Sequence, residues 1–332
     1  MRVAINGFGR IGRSFLRAGL RRGTPYEVVA VNDLTAPATL AHLLTYDTAF
    51  GILDVPVSAE DDALVVGGRR IAVLSSRDPG ALPWRDLGVD VVVESTGAFT
   101  DAAKARAHLD AGARKVLVTA PASGDDLTIA YGINSGLYDP ARHHVVSNAS
   151  CTTNSLAPLA KVLHELAGID SGLMTTVHAY TQDQNLQDGP HQDLRRARAA
   201  AHNIVPTSSG AAKAIGKVLP ELDGRLSGFA LRVPVLTGSM TDLTVTTSRA
   251  TSVQEVNAAF AAAAQGELKE ILAYNEAPIV SSDIVGNPAS TIFDAPLTAV
   301  NGRTVKVLGW YDNEWGFSNR LVDTVGLLGQ GL

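Results

Sequence analysis

The single cysteine of the chain lies in polar surroundings that suit a nucleophile. Cys151 follows Ser150 in the segment SNASCTTN, residues 147–154, and serine is a common N-cap residue. In the first turn of a helix, the positive end of the helix dipole favours a thiolate over a thiol. Free cysteines are also common as small buried hydrophobic residues, so the segment alone leaves a reactive thiol and a structural one both open.

A base close to that thiol would favour catalysis, and His178 is the best-placed histidine. It lies near the end of the strand-like run TTVHAY, residues 175–180, whereas most other histidines lie in helix-like or polar stretches. Ends of strands that border a cleft commonly carry catalytic groups. Without Cys151 a structural histidine would be the favoured interpretation, so contact between these two side chains is a hypothesis about the fold.

Three glycines near the N-terminus predict a dinucleotide site. Gly7, Gly9 and Gly12 form G-x-G-x-x-G between a strand-like and a helix-like run, and Asp33 ends the next strand-like run. The glycines permit a tight turn and a close backbone approach to a pyrophosphate, which the helix N-terminus binds. A carboxylate at Asp33 can accept hydrogen bonds from ribose hydroxyls and would repel the extra phosphate of NADP. The pattern favours NAD, although one acidic residue does not decide the preference alone.

Side chains that suit a phosphate group follow His178 along the chain. They are Thr181, Asp183, Arg196, Arg232 and the run TSSG at residues 207–210, which opens a predicted helix. Arg232 interrupts an apolar run, where a guanidinium group needs an anionic partner from the protein or from a ligand. The arginines around Arg196 are otherwise explained as a solvated or subunit-facing basic surface.

The elements that carry these residues change in character at the cysteine. Before it, short continuous apolar runs rich in valine alternate with helix-like stretches, which is typical of a parallel sheet buried on both faces. The predicted strands are residues 3–6, 27–33, 89–94, 115–119 and 144–147, and the predicted helices are residues 10–22 and 101–111.

After the cysteine the predicted strands are longer. Alternating polar and apolar residues over 241–246 indicate a strand with one solvated face, as in an antiparallel sheet. The predicted helices are residues 152–166, 210–219, 253–264 and 318–328, and the strands are residues 173–180, 229–235, 241–247 and 305–310. We therefore predict an α/β protein with a Rossmann-type dinucleotide-binding domain over residues 1–148. An α+β catalytic domain with a mainly antiparallel sheet is expected over residues 149–314.

Length and composition agree with two domains and exclude several classes of protein. Single cores stop growing at about 250–300 residues, and this chain has 332, of which 45% are hydrophobic and 18% charged. A formal net charge of −5 argues against a dedicated nucleic-acid site, because neutralising phosphates needs a basic face. One cysteine rules out an internal disulfide, no apolar run is as long as a membrane span, and no secretory signal is visible. We therefore expect a cytoplasmic protein.

Nine ordered motifs resemble the phosphorylating glyceraldehyde-3-phosphate dehydrogenases over essentially the whole chain. They are INGFGRIGR (5–13), VND (31–33), ESTG (94–97), SNASCTTN (147–154), HAYT (178–181), DLRRARAA (193–200), PTSSGAAKA (206–214), ALRVP (230–234) and WYDNEWGFSNR (310–320). The resemblance implies that Cys151 is the nucleophile and that His178 activates it. It implies oxidation of D-glyceraldehyde 3-phosphate to 1,3-bisphosphoglycerate in glycolysis, through a hemithioacetal and a thioester, with reduction of NAD.

The same resemblance assigns ligand contacts. Besides the glycine loop, the positions that match NAD contacts are Arg10, Ile11, Asp33, Arg77, Thr119 and Asn313. The positions that match the sites for substrate phosphate and inorganic phosphate are Ser150, Thr152, Thr181, Arg196, Ser209, Gly210 and Arg232. No metal site is expected.

The resemblance also implies a homotetramer. The long polar stretch at residues 182–198 has no core periodicity, and a loop of this length is usually functional or an interface. In the family it forms an S-shaped loop between subunits and near NAD. The family's last helix, residues 315–332 here, returns to the NAD-binding domain.

The chain departs from the family at four positions. Ser155 stands where a second cysteine is common, Ser209 where threonine is usual, and Phe317 where tyrosine is usual. Gly189 stands where many NAD-specific members have leucine, which leaves the cofactor preference less settled than Asp33 suggests.

Two other functions stay open. An erythrose-4-phosphate dehydrogenase would share the thiol chemistry and can end in hydrolysis of the thioester without phosphate. A non-catalytic NAD-sensing module with this fold is the second alternative, and an intact Cys151–His178 pair argues against it. We favour glyceraldehyde 3-phosphate because the residues that match the inorganic-phosphate site are all present.

Overall fold

The computed structural model describes all 332 residues and divides them into two compact units. The first unit comprises Met1–Ile129, Ser135–Ala149 and Ser318–Leu332. The second comprises Ala130–Asn134 and Ser150–Phe317. Each unit is built around its own large sheet.

The first unit alternates strands and helices in chain order. Its elements are β1 (Arg2–Asn6), α1 (Arg10–Arg22), β2 (Glu27–Asn32), α2 (Pro37–Thr45), β3 (Tyr46–Asp47), β4 (Gly51–Ile52), β5 (Val57–Ala59), β6 (Ala63–Val66), β7 (Arg69–Leu74), β8 (Val91–Glu94), α3 (Ala102–Ala105), α4 (Ala107–Asp110), β9 (Lys115–Val118), β10 (Leu127–Thr128) and β11 (Val145–Ser147). Nine strands form one sheet in the order β10-β11-β9-β8-β1-β2-β7-β6-β5.

This sheet is parallel from β10 to β7, as the valine-rich runs predict. Strands β8, β9 and β11 are buried along their whole length, and β1 is buried except at Arg2. Two antiparallel pairings, β5 with β6 and β6 with β7, extend the far edge. The prediction missed this extension because β5 and β6 have only three and four residues, too few to show a strand pattern, and the acidic residues 60–62 separate them.

The helix predicted over residues 101–111 is wrong as a single element. The structure has two four-residue helices, α3 and α4, which meet at Arg106. The backbone there has ψ −21°, which is typical of 3₁₀ geometry and interrupts the α-helical pattern. By contrast, α1 has the predicted bounds, because Gly9 precedes it and Gly23 ends it in the left-handed conformation at φ 59°.

The second unit has longer strands and three helices. Its elements are α5 (Cys151–Ala167), β12 (Ile169–Ala179), β13 (Val205–Ser208), α6 (Ala211–Val218), β14 (Leu226–Val233), β15 (Ser239–Thr247), α7 (Val253–Gln265), β16 (Leu272–Asn275), β17 (Thr291–Asp294), β18 (Ala299–Asn301) and β19 (Thr304–Tyr311). The last helix, α8 (Trp315–Leu328), lies mostly in the first unit.

The second sheet runs in the order β13-β14-β12-β15-β19-β17-β16, with β18 beside β19. Its pairings are antiparallel except β12 with β14 and β16 with β17, so the predicted mainly antiparallel sheet is confirmed. Residues of β15 alternate between buried and half-buried along the whole strand, as its sequence predicts.

One hydrophobic core holds the helices of the second unit against this sheet. Leu156, Leu159 and Leu163 of α5 are fully buried in it. Phe260 of α7 stacks on Phe293 of β17, with ring centroids 3.9 Å apart. The first residue of α5 is therefore carried by a helix that is anchored along its length. No helix of the chain combines the length and the apolar character that a membrane span needs.

Candidate active site

The glycine loop joins β1 to α1 and depends on two of its glycines for its shape. Gly7 has φ +89°, and a Cβ there would lie 2.7 Å from the Thr96 nitrogen. A Cβ at Gly12 would lie 2.3 Å from the Gly7 carbonyl oxygen. A Cβ at Gly9 would meet nothing within 4 Å, so open space lies beside the backbone where the helix begins. The chain itself requires Gly7 and Gly12, whereas Gly9 leaves room for a ligand.

The N-terminus of α1 is arranged for an anion. No side chain caps it, and its first turn contains no acidic residue, so its positive dipole end has no counter-charge of its own. Asp33 follows β2 directly, and its Oδ2 accepts the Phe8 N–H at 2.9 Å while its Oδ1 accepts the Thr35 N–H at 2.9 Å. The carboxylate is thus tied to the glycine loop. Backbone, helix end and acid together fit a dinucleotide.

The other residues of the first unit that the resemblance assigns to NAD lie in different surroundings. Arg10 pairs with Asp47 at 2.9 Å, and the Thr119 N–H donates to the Glu94 carbonyl at 3.0 Å. Ile11 is half-buried in the first turn of α1, whereas Arg77 is exposed in the loop after β7.

A buried polar network holds the residue that precedes the glycine loop. Glu94 and His108 are 2% and 0% exposed. Oε2 of Glu94 accepts the Asn6 amide at 2.5 Å and lies 2.9 Å from Nε2 of His108, and its Oε1 accepts the Thr96 N–H at 2.9 Å. The indole N–H of Trp84 donates to Nδ1 of His108 at 2.9 Å, so the ring proton is on Nε2 and points at Glu94. Since Asn6 precedes Gly7, this network holds the start of the loop.

The thiol lies at the first residue of α5. Ser150 is the N-cap, and its Oγ accepts the Thr153 N–H at 2.9 Å. Ala149 before it is fully buried with φ 56°, a left-handed conformation that L-residues other than glycine seldom adopt. This turn directs the chain from β11 into α5, and it places the Cys151 side chain in the first helical turn, as the segment predicts.

The structure brings Cys151 and His178 together. The Sγ of Cys151 lies 3.4 Å from Nε2 of His178, which is buried at the penultimate residue of β12. Nδ1 of the ring lies 2.6 Å from the Ala179 carbonyl oxygen. A nitrogen and a carbonyl oxygen come this close only with a proton between them, so Nδ1 carries the proton and Nε2 faces the thiol.

The surroundings of the pair disfavour ionisation of both groups, and the pKa of Cys151 lies above its ordinary value. Burial raises the pKa of the Cys151 thiol, whereas the charge of Arg232 lowers it. Burial, and then the charge of Arg232, lower the pKa of His178 to about 3. Creating either ion alone is therefore unfavourable. Because the proton can move between Sγ and Nε2 within the pair, loss of the thiol proton and gain of the imidazolium proton are coupled.

A chain of polar contacts continues from His178 through the predicted phosphate-binding side chains. Arg232 donates to Oγ1 of Thr181 at 2.8 Å. Thr181 donates to Asp183, which also pairs with Arg196, and Arg196 donates to Oγ1 of Thr207 at 2.9 Å. Two guanidinium groups are thus linked through one carboxylate.

The role of Asp183 differs from that of the hydroxyls and arginines around it. Burial opposes its ionisation, but the hydrogen bond from Thr181 and the charges of Arg196 and Arg232 hold its pKa below the usual range. An ionised carboxylate repels a phosphate. In the structure Asp183 contacts Thr181 and Arg196, and its part in phosphate binding stays a prediction.

Three other predicted residues lie at helix starts. Ser209 accepts the Ala211 N–H through its Oγ at 3.3 Å, and Gly210 is the N-cap of α6. Thr152 is buried, and its Oγ1 lies 2.9 Å from the hydroxyl of Tyr311 and 4.0 Å from Sγ of Cys151.

Comparison with known proteins decides the family. A model of the glyceraldehyde 3-phosphate dehydrogenase NAD-binding domain matches residues 1–102, and one of the C-terminal domain matches residues 150–313. Glyceraldehyde-3-phosphate dehydrogenase 2 of Streptomyces arenae is 67% identical over 100% of this chain and 99% of its own length. The enzyme of Mycobacterium tuberculosis strain H37Rv is 64% identical over the same shares.

The chain belongs to the glyceraldehyde-3-phosphate dehydrogenase family. The predicted family, the α/β fold with a Rossmann-type domain, and the use of NAD are confirmed, since the matched N-terminal model is the family's NAD-binding domain. The chain is accordingly an NAD-dependent oxidoreductase of this family.

For a member of this family, the contacts that two residues of the site make within the protein were not foreseen from the sequence. The hydroxyl of Tyr311 lies 2.8 Å from Oγ1 of Thr176, and the Tyr311 ring meets His178 edge-on at 6.0 Å between centroids. Asn313 accepts hydrogen bonds through Oδ1 from the Gly238 N–H at 3.2 Å and from Oγ of Ser239 at 2.8 Å. Tyr311 and Asn313 stand within the motif WYDNEWGFSNR, the only sequence signal that points to them.

Proposed function

We propose that the chain oxidises D-glyceraldehyde 3-phosphate to 1,3-bisphosphoglycerate with NAD and inorganic phosphate. One observation carries the proposal: Sγ of Cys151 lies 3.4 Å from a ring nitrogen of His178 whose partner nitrogen is held by a carbonyl. That arrangement activates a thiol and then provides a base.

The first step is addition of the thiol to the aldehyde. His178 takes the proton from Sγ of Cys151 while a C–S bond forms to the carbonyl carbon, and the carbonyl electron pair moves to oxygen. Protonation of that oxygen by the imidazolium gives a neutral hemithioacetal and restores the base. An aldehyde is a poor hydride donor, and this addition converts it into an alcohol-like carbon that releases hydride when deprotonated.

Oxidation and phosphorolysis follow at the same sulfur. His178 removes the hydroxyl proton of the hemithioacetal, a step worth roughly 10²–10⁴-fold in rate for general bases. NAD, when bound, would supply the hydride acceptor at its nicotinamide ring. The remaining C=O makes a thioester, an activated acyl group that an oxygen nucleophile could not provide as well. A phosphate oxygen then attacks the acyl carbon, the C–S bond breaks, and Cys151 leaves as thiolate and recovers a proton from the imidazolium.

Cationic and hydroxyl groups around the pair would bind the two anions. Thr181 and Arg232 share a hydrogen bond close to His178 and are proposed to hold the substrate phosphate, which orients the aldehyde against Cys151. Arg196, Ser209 and Gly210 are proposed for inorganic phosphate, together with Ser150 and Thr152.

For NAD, the open backbone at Gly9 and the N-terminus of α1 would hold the pyrophosphate, and Asp33 the adenosine ribose. Arg10, Ile11, Arg77 and Thr119 are proposed as further contacts. Asn313 would contact the nicotinamide end through its amino group, since Oδ1 already accepts two hydrogen bonds.

The deciding experiment measures absorbance of reduced nicotinamide with each aldehyde, each cofactor, and with or without phosphate. We expect turnover with glyceraldehyde 3-phosphate and NAD that depends on phosphate. A higher rate with erythrose 4-phosphate that persists without phosphate would instead identify the alternative dehydrogenase. Tight NAD binding with no turnover on either aldehyde would identify a sensing module.

We also propose a cytoplasmic homotetramer. Leu186 and Leu194 in the long loop after β12 are each 81% exposed, and Leu173 and Phe229 protrude from neighbouring strands of the second sheet. Apolar side chains of this size need cover, and a second copy of the chain would provide it. Light scattering should give four times the mass of 34.7 kDa, and a monomer would contradict the proposal. The single reduced cysteine suits the cytoplasm.

A further inference from the structure

Three strands of the second sheet end at one buried hydroxyl. Ser239 is the first residue of β15 and the register partner of Tyr311 at the end of β19. The ladder between β12 and β15 closes at the pair Val177 and Met240, so the N–H of Ala179 lies beyond it. Ser239 is 1% exposed, and Ala179 is fully buried.

The hydroxyl of Ser239 makes two hydrogen bonds, and their directions follow from chemistry. Its Oγ accepts the N–H of Ala179 at 3.0 Å, because a backbone N–H can only donate. Its own proton is then directed to Oδ1 of Asn313, at 2.8 Å. The Gly238 N–H also points at that atom, at 3.2 Å, and a donor facing it identifies it as the amide oxygen.

The hydrogen bond from Ser239 to Asn313 decides which end of the Asn313 amide is available to a ligand. With Oδ1 accepting two hydrogen bonds, the Nδ2 amino group is the donor that remains. The partner this donor suits is a carbonyl oxygen. In the proposed function that carbonyl belongs to the carboxamide of nicotinamide. Without the hydroxyl of Ser239, the Asn313 amide could rotate. Its Oδ1 would then face the carbonyl oxygen of the ligand, and two acceptors cannot form a hydrogen bond.

The hydrogen bond that Ser239 accepts from the N–H of Ala179 restrains that residue. The carbonyl of this residue accepts the Nδ1 proton of His178 at 2.6 Å, which leaves Nε2 facing the thiol. A hydrogen bond to the N–H limits rotation about the bonds of Ala179 that would swing the carbonyl away. A buried N–H without a partner would also cost about 1–3 kcal/mol, so the alanine segment would shift if the hydroxyl were removed.

We propose that Ser239 is a positioning residue that ties the cofactor-facing amide of Asn313 to the base His178. The inference rests on the proposed function, because it takes Asn313 as a nicotinamide contact. Ser239 touches neither substrate nor thiol, and it acts through the two residues it bonds. The hydroxyl of Ser239 therefore positions both the amide of Asn313, which would bind the nicotinamide, and the base His178.

The test compares Ser239→Ala with Thr237→Val. Thr237 is also buried and donates one hydrogen bond, to Asp312 at 2.8 Å, so Thr237→Val removes a buried hydroxyl two residues away that bonds neither Asn313 nor Ala179. Two readouts need no aldehyde: the NAD dissociation constant, and the rate of Cys151 alkylation by iodoacetamide at neutral pH. In Ser239→Ala we expect NAD to bind about tenfold more weakly and alkylation to slow by about tenfold, as for small misplacements of reacting groups.

Thr237→Val should lower the thermal midpoint while leaving both readouts unchanged. Ser239→Thr, which keeps the hydroxyl, should restore both. Unchanged NAD binding and alkylation in a folded Ser239→Ala would overturn the proposal, and so would equal effects in Thr237→Val. If Ser239→Ala fails to fold, Asn313→Ala tests the same connection: it should slow alkylation as well as weaken NAD binding, and an effect on NAD alone refutes the coupling. If no aldehyde is oxidised, the proposed function fails and these readouts still decide the role of Ser239.

Discussion

The guanidinium of Arg232 lies 3.1 Å from Nδ1 of His178, so a permanent cation borders the imidazole that faces the thiol. The same group donates to the Ala179 carbonyl at 3.2 Å and to Thr181 at 2.8 Å. The base and the proposed phosphate contact therefore share one cation. An anion bound there would offset the charge that disfavours imidazolium, and substrate binding would make His178 a stronger base.

The first prediction concerns the protonation of His178 when the thiol is absent. In Cys151→Ser, burial and the charge of Arg232 should keep the pKa of the imidazole well below its ordinary 6.5, towards about 3. The ring should thus stay neutral through pH 5–8. Adding Arg232→Ala should raise the pKa, because a repelling cation is removed. Nitrogen NMR of the ring measures both, and titration near 6.5 in Cys151→Ser would contradict the prediction.

The second prediction separates chemistry from cofactor binding. Cys151→Ser should abolish NAD reduction, since a serine hydroxyl is a weak nucleophile here and its ester a poor acyl donor. NAD affinity should stay largely intact, because the glycine loop and Asp33 belong to the first unit. Nicotinamide absorbance and equilibrium dialysis of NAD check the two parts. An active serine variant would refute the nucleophile assignment.

The third prediction tests the pairing directly. His178→Asn should slow alkylation of Cys151 at neutral pH by roughly 10²-fold, the lower range for loss of a general base. His42→Asn, a change at an exposed histidine of α2, is the control and should leave the rate unchanged. Stopped-flow alkylation over pH 5–9 provides the measurement. Equal rates in His178→Asn and the parent would count against the pairing.

Local patterns predict the parts of the site that depend on neighbours in the chain. The Ser150 cap and the helix behind Cys151 follow from a polar residue placed before an apolar helix. The position of Asp33 beside the glycine loop follows because adjacent parallel strands end at the same edge of a sheet. Both features depend on short sequence patterns and on elements that follow each other along the chain.

Contacts between distant segments do not follow from such patterns. Ser239 and Asn313 are 74 residues apart, and a serine at the start of a strand carries no signal that it bonds an asparagine beyond another strand. Oδ2 of Asp33 accepts the Phe8 N–H, so the acid has a structural task besides ribose recognition. Such roles become visible only when the strands are placed together.

The fourth prediction follows from that second task of Asp33. Asp33→Gly should lower kcat/KM for NAD by about tenfold, the value of one lost charged hydrogen bond, because the ribose contact and the tether to Phe8 are both removed. The ratio of kcat/KM for NAD to that for NADP should therefore decrease, mainly because kcat/KM for NAD falls and less because kcat/KM for NADP rises. Asp33→Asn, which keeps one acceptor oxygen, should show a smaller loss with NAD. Unchanged kcat/KM for both cofactors in Asp33→Gly would show that Asp33 is not the selector.

The fifth prediction concerns the buried Glu94, whose two oxygens accept from Asn6, His108 and Thr96. Glu94→Gln replaces one acceptor with a donor that faces other donors, which should cost about 2–3 kcal/mol of unfolding free energy. NAD should bind more weakly as well, since Asn6 adjoins Gly7. Thermal unfolding and NAD titration measure the two effects, with the exposed Glu60→Gln as control. A stable Glu94→Gln with normal NAD affinity would mean that the network does not support the loop.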